Sequence, residues 1–129
     1  MVLNYLKKTT NFEFKKEKTL TERKNYSNYL LEKYPDRVPV IIKKSENDKI
    51  LQDNITGYSR YLMPKNLKIS EVLFIIRNKI NLKKEEAVFI FVNGNILVPM
   101  NETIGSMYDL HKSEDGFLYI IYSSENTFG

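Results

Sequence analysis

The sequence predicts an α+β fold, and three observations carry that prediction. Runs of β-branched, aromatic and aliphatic residues with the length of strands occur at residues 38–44, 58–63, 87–92 and 117–122. The clearest helical stripe, over residues 69–80, falls between the second and third of these runs. The charged stretch ahead of the first run has helical spacing and is stopped by Pro35.

In chain order, residues 12–18 predict a short helix and residues 21–34 a longer one, in which Tyr26, Tyr29, Leu30 and the stem of Lys33 share one face. The first strand, 38–44, contains Pro39, which has no backbone N–H and so suits a strand start or an edge. Residues 45–57 read as a long polar connection. The second strand, 58–63, is short and stopped by Pro64, as edge strands often are. In the helix over 69–80, Ile69, Val72, Leu73, Ile76 and Ile80 form one stripe for the core, with Asn66 or Ser70 placed to cap its start. Ile75 widens that stripe on one side, and Phe74 points nearly opposite. Residues 87–92 are almost wholly apolar, as in the middle of a sheet, and Asn93-Gly94 follows as a hairpin signal. Residues 104–111 predict a second short helix. Residues 117–122 predict a buried last strand, which gives way to the polar tail 123–129.

This order fits the β-grasp architecture: a four-stranded mixed sheet wraps one main helix, the last strand lies centrally, and an N-terminal extension of about two helices precedes it. The expected division is a helical extension over 1–34, a body over 35–122 and a flexible tail over 123–129, one compact domain overall.

Composition limits the chemistry. The chain has 129 residues, 42% of them hydrophobic, enough for one domain to bury a core without staples. It has no cysteine, which excludes a disulfide framework, a thiol nucleophile and thiolate metal sites. No apolar stretch is long enough to cross a bilayer, so any membrane contact is expected to be peripheral or covalent. The net charge of +4 is unevenly spread: residues 1–34 carry eight Lys/Arg against four acids, and the remainder carries twelve of each. A basic segment of this kind attracts acidic peptides, anionic headgroups or nucleic acid, or serves only as a solvated helix face.

Chemistry of other kinds is thin. His111 is the single histidine and has no companion ligand, so no metal and no cofactor is expected. The five glycines make no phosphate-cradling loop. Asp36, Glu85, Glu86, Glu114 and Asp115 offer carboxylate pairs, but each lies near a loop or helix end, where solvated charges are expected. No catalytic residues are assigned, and the chain is not read as an enzyme.

The tail is the remaining feature. It holds a carboxylate beyond the folded body on Gly129, and a glycine carboxyl enters a narrow enzyme channel with little steric hindrance. This is the design of a protein joined through its own end to something else; a frayed polar terminus is the plainer reading of the tail taken alone.

Six blocks then carry a resemblance. Tyr34-Pro35-Asp36-Arg37-Val38-Pro39-Val40-Ile41, Tyr61-Leu62-Met63-Pro64, Ile75-Ile76-Arg77, Phe89-Ile90-Phe91-Val92-Asn93, Glu114-Asp115-Gly116-Phe117-Leu118-Tyr119 and the terminal Asn126-Thr127-Phe128-Gly129 resemble the GABARAP-type autophagy ubiquitin-like modifiers, in the same order and at close to the same spacing. The resemblance implies a ubiquitin-like body preceded by two helices. It also implies conjugation of Gly129 to phosphatidylethanolamine, with Phe128 as an apolar handle for a processing protease. Activating and conjugating enzymes and a deconjugating cysteine protease would supply every nucleophile. The protein would be cytoplasmic, with a lipidated pool on autophagosome or related vesicle membranes.

Receptor proteins with short linear motifs are the other partners that the resemblance implies. An aromatic residue, two further residues and an aliphatic one would pair along the second strand. By position, Leu30, Pro39, Leu62 and Phe117 would line an aromatic pocket, and Tyr61, Met63, Pro64, Leu67, Val72 and Ile75 an aliphatic one. Arg60, where the family usually has lysine, would flank the incoming strand, and Lys33, Arg37 and Lys79 would meet the acids that accompany such motifs. Leu62, Val72 and Phe117 would equally be apolar in any packed core.

The chain also departs from the family. Tyr26 stands where an acid is usual at the aromatic rim, and Val72 replaces a usual phenylalanine, which puts motif preference in question. The connection between the first two strands is about three residues longer, and Asn93-Gly94-Asn95 carries one extra, both at loops where insertions cost little. Residues 1–20 match least. Family precursors usually extend past the glycine; none do here, so Gly129 is either the encoded end or one exposed by cleavage. Two further readings stay open: an unconjugated interaction module for trafficking or cytoskeletal proteins, and, less favoured, a nucleic-acid binder that uses the basic N-terminal residues Lys7, Lys8, Lys15 and Lys16.

Overall fold

The structure, a computed structural model, describes residues 14–45, 58–80 and 87–124. Two helices come first, α1 (Phe14–Glu17) and α2 (Leu20–Lys33). They are followed by β1 (Arg37–Lys44), β2 (Tyr58–Pro64), α3 (Ile69–Lys79), β3 (Phe89–Val92), β4 (Ile96–Leu97), α4 (Ile104–His111) and β5 (Leu118–Ser123). The sheet order is β2-β1-β5-β3-β4. β5 runs parallel to β1 and antiparallel to β3, so the last strand is central, as the β-grasp reading requires. The four anticipated strands are joined by a fifth of two residues. It closes a hairpin in which Val92 faces Ile96 and Asn93 and Gly94 both take positive φ, 51° and 83°.

Side chains alternate between the two faces of a strand, and that period of two divides the core. Val40 and Ile42 of β1, Tyr61 and Met63 of β2, and Leu118 and Ile120 of β5 join Ile69, Val72 and Ile76 of α3 and Ile104 and Met107 of α4 in the main cluster. The intervening Ile41, Tyr58 and Leu62, with Phe117 just before β5, face the other way, where they meet Phe14 of α1 and Leu30 of α2. The sheet thus has α3 and α4 on one face and the N-terminal helices on the other.

Pro39 is tolerated because pairing of β1 with β5 begins only at Val40, leaving the proline inside the strand's unpaired start on that side. α2 begins at a reciprocal cap: Glu22 N–H donates to Thr19 Oγ1 at 3.1 Å, and Thr19 N–H donates to Glu22 Oε1 at 2.8 Å. Two expectations need correction. The start of α3 is held not by Asn66 or Ser70 but by Glu71, whose Oε1 accepts from Lys68 N–H at 3.0 Å. On α2, Tyr29 turns outward and is 54% exposed, while Ser27 takes the buried place beside Leu30. The α3 stripe of Ile69, Val72 and Ile76 is buried as expected, and Phe74, opposite it, is 65% exposed.

Candidate functional site

β2 is a sheet edge: among the described residues it pairs with β1 alone, in the register Arg37↔Pro64 to Lys43↔Tyr58. Its outer backbone groups face away from β1, which is what an extended peptide needs for strand addition. Alternation then sends Leu62 to the α1–α2 side of the sheet and Tyr61 and Met63 to the α3 side. The two sets of residues assigned to pockets therefore lie on opposite faces of one edge.

On the first face, Leu30, Pro39, Leu62 and Phe117 come together, all buried. Four further aromatic residues join them that the sequence reading did not assign: Phe14, Tyr58 and, at the margin, Tyr34 and Tyr119. Phe14 meets Phe117 edge-on with ring centroids 4.8 Å apart and lies 5.8 Å from Tyr58. Arg60, only 6% exposed, lays its guanidinium over both rings, 5.0 Å from Phe14 and 5.6 Å from Tyr58. Its role here is stacking, which a lysine ammonium performs less well. Tyr26 stands half-buried at the rim, its ring 6.3 Å from Phe117. Burial pushes its phenol pKa up, so it stays a neutral hydrogen-bonding group at that rim. A hollow of about 350 Å³ opens beside Tyr26 and Arg60, bordered also by Glu17, Lys18 and Glu22.

On the second face, Tyr61, Met63 and Val72 are buried in the main cluster, Leu67 packs half-buried against it and Ile75 of α3 is half-buried, whereas the half-buried Pro64, at the end of β2, has the parity of Leu62. The structure thus divides the six residues into a floor of three, a rim of Leu67 and Ile75, and Pro64 at the strand end. The basic residues are similarly sorted. Lys79 Nζ donates to Tyr61 Oη and, at 3.3 Å, to Ser59 Oγ, tying α3 to β2. Arg37 Nη1 donates to Leu62 O at 3.4 Å, and Lys33 Nζ donates to Tyr29 Oη at 3.1 Å. Lys33 is the most exposed of the four.

Behind the aromatic face lies a polar cluster absent from the sequence reading, which placed Asp115 among the solvated carboxylates. It is 1% exposed and paired with Arg23 at 2.8 Å. Its carboxylate also accepts from Phe117 N–H at 2.9 Å and from Tyr119 Oη. The Tyr119 phenol is raised far above its ordinary pKa, chiefly by burial and then by the hydrogen bond to Asp115. No residue type at 115 signals this by itself; the Asp115-Gly116 pair reads only as a turn.

A larger cavity of about 370 Å³ extends from the Tyr58 end of β2 toward the β3–β4 turn, with Phe14, Lys15, Lys43, Gly94 and Tyr119 among its walls. Gly129, Phe128, Lys7, Lys8, Glu85 and Glu86 lie outside the described residues. Among the described residues no group of acidic and histidine side chains could hold a metal ion, and no helix is long and apolar enough to cross a membrane.

Residues 22–129 match the model of a family described as "Autophagy protein Atg8 ubiquitin like". Autophagy-related protein 8e of Arabidopsis thaliana is 45% identical over 116 residues, spanning 90% of this chain and 92% of that protein. Autophagy-related protein 8 of Schizosaccharomyces pombe is 43% identical over 117 residues, spanning 91% and 93%. Autophagy-related protein 8 of Candida albicans is 42% identical over 117 residues, spanning 91% and 84%. With a central β5, an edge β2 and this match over its sheet and tail, the chain belongs to the Atg8 family of ubiquitin-like autophagy proteins.

Proposed function

We propose that this protein is a ubiquitin-like modifier, itself not an enzyme, conjugated through the Gly129 carboxylate to phosphatidylethanolamine on autophagosomal membranes. In the same reading it binds aromatic-x-x-aliphatic motifs of cargo receptors and adaptors along β2. The observation that carries the binding half is the parity of the edge strand. A peptide added to β2 sends successive side chains to alternate faces, so residues three apart fall on opposite faces. One would enter beside Tyr26, Arg60 and Leu62, and the other would meet Leu67 and Ile75 beside Tyr61 and Met63; both faces of this edge are apolar. A spacing of two or four would direct both anchors to the same face.

The conjugation half is supported by family membership and by the match that runs to Gly129. Activating and conjugating enzymes would carry the glycine as an adenylate and then a thioester. A cysteine protease would recognise the tail at Phe128 and reverse the linkage. The chain contributes no nucleophile, in keeping with its lack of cysteine. In this reading residues 1–34 and 35–122 form the extension and the ubiquitin-like body, residues 123–129 the conjugation tail, and the protein is cytoplasmic with a lipidated pool on vesicles. The narrower placement in the GABARAP-type subgroup is supported by the blocks around Tyr34–Ile41 and Glu114–Tyr119. Reconstituted lipidation tests the reading: the wild-type chain gains a phosphatidylethanolamine adduct with enzymes, ATP and vesicles, and Gly129→Ala does not. Normal conjugation of Gly129→Ala would overturn it.

A further inference from the structure

Asp115 touches no part of the edge to which a motif would bind, yet its hydrogen bonds reach the backbone of Phe117 and the hydroxyl of Tyr119 and, through Arg23, the chain beside Phe14. Its Oδ1 accepts from Phe117 N–H at 2.9 Å, which fixes the backbone at that ring directly. Its Oδ2 accepts from Arg23 Nε at 2.8 Å, and the same guanidinium reaches onward to α1, with Nη1 donating to Lys18 O at 2.6 Å and Lys15 O at 3.2 Å. Lys15 is the neighbour of Phe14, whose ring lies edge-on to Phe117. Ser27 Oγ of α2 donates to Asp115 O at 2.6 Å, locking the turn against the helix that carries Leu30.

Burying a carboxylate is costly unless donors surround it, and an apolar side chain would fill the same space without that penalty. What a charged hub adds is direction: its hydrogen bonds hold only at particular separations and angles, whereas apolar contacts slide. We propose that Asp115, acting through Arg23 and the Phe117 amide, is the positioning residue of the aromatic pocket. It fixes the Phe117 backbone and, through Arg23 Nη1 on Lys18 O, the Lys18 side of the hollow beside Tyr26 and Arg60, and thereby which aromatic anchor, indole, phenol or phenyl, the pocket prefers. This rests on the motif-binding reading above. A pocket wall held by such a frame discriminates by ring size, because a wall that cannot move does not adapt to a wider or narrower guest.

The test uses the full chain and four labelled peptides: Trp-x-x-Leu, Tyr-x-x-Leu, Phe-x-x-Leu and Trp-x-x-Ala, titrated well below the unfolding midpoint. Asp115→Asn keeps the shape and can still accept from the Phe117 amide but loses the charge that holds Arg23. Arg23→Lys keeps the charge but lacks the fork that reaches the α1 carbonyls, and it serves should Asp115→Asn fail to fold. The expected result is a change of at least about fivefold in the Trp-to-Phe affinity ratio, with the Leu-to-Ala ratio within about twofold of wild type. Contacts between the Phe14 and Phe117 ring protons, followed by NMR without peptide, should weaken in the same variants. Unchanged ratios, or equal weakening of all four peptides with ring contacts intact, would overturn the proposal. If wild type binds none of the peptides, the motif reading falls and this proposal falls with it. If wild type binds but the variants keep its ratios, the positioning role alone is rejected.

Discussion

Gly116 turns at φ 87° between Asp115 and Phe117, and a Cβ there would lie 2.3 Å from Ser27 Oγ. Left-handed backbone at a non-glycine residue costs about 1–3 kcal/mol, and the overlap with a hydroxyl already bonded to Asp115 O adds to it. Gly116→Ala is therefore expected to lower stability by about 2 kcal/mol or more, read as a lower urea midpoint at unchanged m-value; a loss under about 0.5 kcal/mol would contradict the geometry. The neighbouring Tyr108 donates to Gly116 O at 2.6 Å, and its pKa is pushed up to about 12, first by burial and then by the charges of Asp109 and Asp115. An unfolded tyrosine ionises near about 10. Between those values the unfolded chain has released a proton that the fold still holds, so stability falls with rising pH. The contribution is whole below about pH 10 and is lost as pH passes through about 12. Tyr108→Phe should accordingly be less stable than wild type at pH 8, by loss of the hydrogen bond, with the gap narrowing between pH 10 and 12. A gap that widens with pH over that range would show that the phenol is not held neutral.

α2 positions Arg23, Ser27 and Leu30 against the Asp115 turn, and its register depends on how it begins. Because Thr19 and Glu22 satisfy each other's backbone N–H, Thr19→Ala should cost about 1 kcal/mol. A matching drop in thermal midpoint, with Glu22→Gln costing less, would check it. The same helix shows where the sequence is legible and where it is not. Strands β1, β2, β3 and β5 could be read from their runs of apolar and β-branched residues and helix α3 from its apolar stripe of Ile69, Val72 and Ile76, and α4 falls on residues 104–111 as expected. The inward face of α2 could not, because it is polar: Arg23 and Ser27 bury through hydrogen bonds to a turn about ninety residues away, and no apolar period marks them. Tyr29, apolar enough to suggest the core, instead supports Lys33 at the surface. β4 escaped notice since two exposed residues carry no period at all. Leu30, Pro39, Leu62 and Phe117, assigned to the aromatic site by resemblance and not by any pattern of their own, lie together on one face of the sheet. Phe14 was missed because a four-residue helix is too short to display a face.

Across the whole molecule, the Pro64 end of the edge that would bind motifs and the exit of the tail are held by the same sheet but far apart. Pro64 pairs with Arg37 at one end of β1, while Tyr122, next to the exit of β5, pairs with Lys44 at the other. Seven residues along a strand span about 23 Å, and β5 stands two strand spacings, about 10 Å, from β2. Strand addition at β2 completes a hydrogen-bonded edge without changing the β1–β5 register, so the two activities should be separable. Leu67→Ala combined with Ile75→Ala removes half-buried apolar surface at the rim of the second face while leaving the buried Met63 and Val72 in place. This pair is expected to weaken a Trp-x-x-Leu peptide by about tenfold or more, the scale of losing about 1.4 kcal/mol of anchor contact. Its rate of conjugation to phosphatidylethanolamine should stay within about twofold of wild type, since changes this far apart add independently. Gly129→Ala should show the reverse, with peptide affinity kept and conjugation lost. Binding by fluorescence anisotropy and lipidation by gel shift on the same preparations decide the matter: if the rim variant slows conjugation as much as it weakens the peptide, then the edge and the tail are coupled through β1 and the two-site description of this fold is wrong.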